Sequence, residues 1–255
     1  MVYNRFLPLV AAGLVFVFSE IFIVWPRLIY ISFIFGVLIF FFVCRQFLLV
    51  SPKKEKWWNL FLLPFLFWSG TVALITILPS RLLVHLLVSV NMVFVYFYFR
   101  VLYYYLLEPQ CYQPNSLANL SAYGNFLAFY FFSSALYGFQ ILLGARIWPL
   151  MLILLLAVVL IASQVFWANR LDRRVGSVYI LLLAVSLVEL AWAASFTSLS
   201  FYILGLILAV CYYILIGLIR FYLLGRLTRQ TIKLYLIFGL SSIFLVLLTA
   251  KWIAY

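Results

Sequence analysis

A chain of 255 residues that is 69% hydrophobic and only 9% charged lacks the polar surface of a water-soluble domain, where roughly 25% of residues are charged. Its formal net charge of +12 would point to nucleic acid if the basic residues shared one solvated face. They instead punctuate the ends of apolar runs, which suits anionic lipid headgroups and removes nucleic acid from the expected partners.

Apolar runs of about 20 residues recur along the chain, each long enough to cross a hydrocarbon core of about 30 Å. No polar stretch between them would make a separate soluble domain. Backbone groups in lipid must be satisfied within their own segment, so the runs are predicted as helices. The expected fold is an all-α, polytopic integral membrane bundle of about nine transmembrane helices, one domain over residues 1–255.

Helix 1 is predicted over 6–25. Its sequence, "MVYNRFLPLVAAGLVFVFSEIFIVW", has the basic start of a signal peptide. Its apolar run of about 19 residues is longer than an h-region, however, and no small-x-small cleavage site follows. Helices 2 (28–50), 3 (59–78) and 4 (82–106) follow the breaks "WPR", "SPKKEKWW" and "PSR". Helix 4 ends in "VYFYFRVLYYYLL". Tyr96, Arg100, Tyr103 and Tyr104 share a face by i, i+4, i+7, i+8 spacing, as a ligand platform would require. The preferred reading is the wet end of a membrane helix: Tyr103, Tyr104 and Tyr105 sit at the depth of an aromatic belt, and Arg100 snorkels to headgroups.

The loop "EPQCYQPNSLANLSAYGN" leads to helix 5 (117–143), with Asn115 or Ser116 as the expected cap. Helix from Ser116 to Leu143 would run about 42 Å, more than the bilayer needs, so a bend or break is expected near Gly124. Helices 6 (147–167), 7 (175–195), 8 (199–218) and 9 (232–252) are divided by "GARIWP", "NRLDRRVG", "SFTS" and "RFYLLGRLTRQT". "SFTS" holds neither proline nor charge, and leaves open whether helices 7 and 8 are separate spans.

Lys and Arg set the orientation, because cytoplasmic connections retain positive charge. With nine helices and the N-terminus inside, the inner side holds Arg5, Arg45, Lys53, Lys54, Lys56, Arg100, Arg170, Arg173, Arg174, Arg220, Arg226, Arg229 and Lys233. The outer side holds only Arg27, Arg81, Arg146 and Lys251, which completes the 17 basic residues. Trp25, Trp57, Trp58, Trp148, Trp167 and Trp252 fall at predicted interfaces. The N-terminus is therefore expected in the cytoplasm and the C-terminus outside. The short connections favour a prokaryotic inner membrane, that is, a plasma membrane.

Chemistry-bearing residues are few. One histidine, His85, and one aspartate, Asp172, cannot build a His-rich metal site or an aspartate pair. Cys44, Cys111 and Cys211 form no CxxC pair, so neither a disulfide framework nor zinc is expected, and no cofactor. Cys111 is expected to be a free thiol. No Walker loop, HExxH or Asp-rich diphosphate motif occurs. "GLSS" at 239–242 has the loose look of a rhomboid protease serine, but its one candidate base, His85, is predicted near the outer surface and Ser241 near the midplane. Ser32/Gly36, Ser69/Ala73, Ser134/Gly138 and Gly205/Ala209 are small-xxx-small pairs suited to close helix packing.

Ionisable groups inside membrane helices are costly and mark site candidates. Glu20, His85, Gln140 and Glu189 all fall within about 10 Å of the outer boundary, and Arg27, Arg81 and Arg146 cap the same side. With Arg100 at the inner face, these arginines are candidate headgroup contacts. The outer slab is either a proton-coupled or headgroup-binding pocket, or a set of structural ties such as Glu20 with Arg27. Asn91 and Gln164 lie deeper, where interhelical hydrogen bonding is the expected role. The sequence thus favours a non-enzymatic small carrier or membrane-complex subunit packed against partner helices, with anionic lipid on the cytoplasmic side. The alternative is an intramembrane enzyme or binder acting on a lipid-linked substrate at the outer leaflet.

Overall fold

A computed structural model of the protein describes residues 2–53, 55–171 and 173–250. Lys54, Asp172 and 251–255, with the expected outer-side Lys251 and belt residue Trp252, lie outside the described residues. Among the described residues there is no strand, and nine helices are long and apolar enough to cross a membrane, as a multi-pass membrane protein requires. They are α1 (Val2–Val24), α2 (Ile29–Val50), α3 (Trp57–Ile75), α4 (Arg81–Leu106), α5 (Ser116–Leu143), α6 (Ile147–Ala168), α7 (Arg173–Ala194), α8 (Phe201–Leu223) and α9 (Arg229–Thr249).

The ends of these helices follow from local chemistry. Pro26 opens a short 3-10 turn, Pro26–Leu28, between α1 and α2, because it lacks the N–H that would continue α1. At "SFTS" the chain does stop. Ser195 Oγ donates to the Trp192 carbonyl at 2.6 Å and Thr197 Oγ1 to Ala194 at 2.7 Å, so hydroxyls satisfy the terminal carbonyls of α7 and α8 begins separately at Phe201. After α8, Gly225 takes φ 65°. Its N–H bonds Tyr222 and that of Arg226 bonds Phe221, the paired closure of a Schellman motif. Arg170 makes the same closure after α6 with φ 55°, a conformation that costs a residue bearing a Cβ.

Of the bend or break expected near Gly124, the break is absent: α5 runs unbroken from Ser116 to Leu143. A Cβ on Gly124 would collide with the Phe94 ring, so this glycine serves close packing on α4. The capping expectation is also revised. Asn115 stands in the left-handed region at φ 63°, and the Leu117 N–H is satisfied by the Tyr112 hydroxyl at 3.2 Å.

The chain divides into two compact units, Met1–Asn125 and Phe126–Tyr255. In the first, α1 packs on α2 and α4, and α3 packs on α2 and α4. Helix α3 is the core, buried at most positions from Asn59 to Ile75. Pro64 lies inside it and cannot donate to the Leu60 carbonyl four residues earlier. The buried Tyr98 of α4 fills that gap, its hydroxyl donating to Leu60 O at 2.8 Å. Trp68 of α3 lies where Gly36 of α2 leaves room: a Cβ there would stand 2.6 Å from the indole nitrogen. Phe67 stacks on Phe94 with ring centroids 4.0 Å apart.

In the second unit, α6 packs on α7, α7 on α8 and α8 on α9. Ser134 of α5 sits against Gly205 of α8 so closely that a Cβ on the glycine would overlap the serine backbone. Tyr137 donates its hydroxyl to Ala191 O of α7 at 2.9 Å. Helix α9 touches α8 at Gly239, its only buried residue, and leaves Leu234, Ile237, Phe238, Phe244 and Leu248 exposed, as lipid-facing side chains are.

Candidate functional site

Antiparallel packing of α1 on α4 brings the last full turn of one beside the first of the other. Glu20 and His85 meet there, with His85 Nδ1 3.0 Å from Glu20 Oε1. The side chains are 50% and 31% exposed respectively, so the pair is open to its surroundings. Nδ1 is placed to donate to a carboxylate, which when ionised can only accept, and Nε2 has no partner among the described residues. The expected tie between Glu20 and Arg27 is not made. Arg27 lies beyond the end of α1 in the Pro26–Leu28 turn and is exposed. Arg81 opens α4 one turn before His85 and is also exposed.

The other outer-slab candidates belong to the second unit. Gln140 is half-buried near the end of α5, and Arg146 is exposed just before α6. Glu189 is exposed on α7 and forms no ion pair or hydrogen bond with any described residue. It shares a helical face with Val185, Ser186, Leu190 and Ala193, all exposed. Within the first unit, the slab residues Glu20 and His85 are in contact.

The deeper polar residues divide. Gln164 is buried and engaged. Asn91 is fully buried, yet neither its Nδ2 nor its Oδ1 has a hydrogen-bond partner among the described residues. The interhelical bond expected of it is not formed, because it sits with Val88, Phe94 and Val95 on the buried face of α4.

At the opposite end of the first unit, the tyrosines of helix 4 are not a simple belt. Tyr103 and Tyr105 are buried. Tyr103 donates to Glu108 Oε1 at 2.6 Å and Tyr105 to Glu55 Oε1 at 3.0 Å. Lys53 Nζ donates to Tyr105 O at 2.6 Å and stands 3.8 Å from the centre of its ring. These contacts fasten the α2–α3 and α4–α5 connections onto the end of α4. They are wet-end chemistry turned inward, and the clue in the sequence was a carboxylate in each connection beside a tyrosine-rich helix end. Arg100 remains exposed, donating to the Tyr96 hydroxyl at 2.8 Å and lying over the rings of Tyr96 and Tyr104.

Ser241 donates to Phe238 O within α9 at 3.0 Å, and His85 is held by Glu20. No family model, curated protein or solved structure matches the chain.

Proposed function

We propose that this multi-pass membrane protein is a non-enzymatic subunit that packs α7 against a partner helix in a plasma-membrane complex, with its N-terminus in the cytoplasm. Glu189 carries the proposal. A carboxylate within an apolar span is costly unless it faces protein or water, and this one is exposed among Val185, Leu190 and Ala193 with no partner among the described residues. The small residues Ser186 and Ala193 on the same face let a second helix approach closely. The 13-to-4 distribution of basic residues supports the orientation, and short connections are typical of a prokaryotic inner membrane.

A photo-crosslinking residue at Ser186 in native membranes tests this directly. Adducts of higher mass are expected, and Glu189→Gln should diminish them while the chain stays folded. A bare monomer band, or adducts indifferent to Glu189→Gln, would return α7 to the lipid.

One observation favours a second reading, a carrier or a binder of lipid-linked substrate at the outer leaflet: the open Glu20–His85 pair, with Nε2 available. Under that reading Glu20→Gln and His85→Ala share a transport or binding defect at normal thermal stability. Equal function in both variants rules it out.

A further inference from the structure

The end of α2 carries a feature that neither proposed reading uses. Phe41, Arg45, Leu48 and Leu49 stand at i, i+4, i+7 and i+8, one face of a helix. With Trp57 at the start of α3 they line an open groove of about 400 Å³. Trp57 is locked in an aromatic wall: its ring meets Phe41 edge-on at 5.5 Å and Phe61 at 6.0 Å. The groove is apolar except at Arg45, which is exposed and forms no ion pair or hydrogen bond with any described residue.

A guanidinium five residues inside the end of a membrane helix lies about 7–8 Å along the axis from that end. From there its fork can snorkel to headgroup depth, where water and lipid anions are its available partners. The nearby connection contains one carboxylate, Glu55, and Tyr105 of α4 engages it. Lys53 is likewise drawn onto Tyr105. Lys56, which directly precedes Trp57, is exposed and without a partner among the described residues. The folding of this connection onto α4 thus engages its acid elsewhere and leaves Arg45 as the one cation lining the groove, with no counter-charge among the described residues.

We infer that this groove binds one anionic phospholipid of the adjacent leaflet, an acyl chain lying along Phe41, Leu48 and Leu49 and the phosphate on Arg45. The guanidinium fork matches phosphate oxygens bidentately, and the Trp57 indole N–H sits at the depth of the headgroup and ester region. A zwitterionic lipid would bring its own cation toward Arg45, so a net negative headgroup is selected.

The test is native mass spectrometry of the full-length protein in detergent, titrated with phosphatidylglycerol or phosphatidylcholine. One phosphatidylglycerol should remain bound under conditions that strip phosphatidylcholine. Arg45→Gln should weaken it about tenfold, the scale of a lost charge-assisted hydrogen bond. Arg45→Lys should weaken it less, and Arg226→Gln, which removes a positive charge between α8 and α9, should leave it unchanged. Leu48→Trp fills the groove without altering charge and should also displace the lipid. That variant decides the matter if Arg45→Gln does not fold. Equal retention of the two lipids, or undiminished phosphatidylglycerol in Leu48→Trp, overturns the inference. So does a wild-type dimer that Leu48→Trp dissociates, since a second copy of the chain would then fill the groove.

Discussion

Single side chains set the finest balance in this protein, and two of them lend themselves to measurement. The Tyr98 hydroxyl takes the place of the N–H that Pro64 lacks. Losing it leaves a buried carbonyl unsatisfied, so Tyr98→Phe is expected to cost about 1–3 kcal/mol in a reversible unfolding measurement in detergent. In Pro64→Ala the helix satisfies its own carbonyl, and the same Tyr98→Phe change should cost clearly less. Equal costs in both backgrounds would show that the bond does not compensate for the proline. Asn91 is the opposite case, a buried amide without partners. Asn91→Leu removes the desolvated group while keeping its volume, and is expected to raise stability by about 1 kcal/mol; a loss of stability would reveal a partner for the amide. Both bonding patterns were hidden in the sequence, because a tyrosine or asparagine in an apolar run does not announce which carbonyl it will meet.

Among the elements, helix ends and close approaches were read with unequal success. The punctuation of Pro, Ser, Thr and basic residues separated the nine helices, since it acts on the backbone within a few residues, although α8 runs on to Leu223, past the expected end at 218, and α9 begins at Arg229 rather than 232. The use of glycine was harder to read. The length of α5 predicts a bend or break near Gly124; what the structure shows at this glycine is room for the Phe94 ring, a neighbour brought in by tertiary packing. Gly36 likewise makes room for Trp68; Gly36→Leu should drive the indole out of its site and lower thermal stability, which intrinsic tryptophan fluorescence and a melting curve would register together. At the end of α6, Arg170 holds φ 55° at a position where glycine carries no Cβ penalty, so Arg170→Gly is expected to stabilise by about 1 kcal/mol. An unchanged or lower melting temperature would mean that the arginine side chain contributes more than its backbone costs.

For the whole molecule, the proposed orientation rests on charge distribution and is open to reporters. Fusions after Lys54 or Arg226 should be cytoplasmic, and one after Arg146 external, in any membrane that retains positive connections inside. An external reporter at Lys54 would invert the topology and, with it, the leaflet assigned to Arg45. The Glu20–His85 pair is about as exposed as a surface salt bridge, and is expected to couple by no more than about 1 kcal/mol in a double-mutant cycle with Glu20→Gln and His85→Ala. A larger coupling would mark it as a structural fastening and weaken the carrier reading.

The amino-acid sequence alone determined that this chain crosses a membrane and roughly where. Hydropathy over about 20 residues and the backbone's need for internal hydrogen bonds are local constraints, and helix-end chemistry acts within one turn. The tertiary structure decided which polar groups found one another. Glu20 met His85 and not Arg27, because α1 lies antiparallel on α4 while the Pro26 turn carries Arg27 away. Glu55 went to Tyr105 and left Arg45 without a counter-charge among the described residues. Those pairings depend on which helices are neighbours and how each is rotated about its axis, and in a chain apolar on nearly every helix face, periodicity leaves that rotation undetermined.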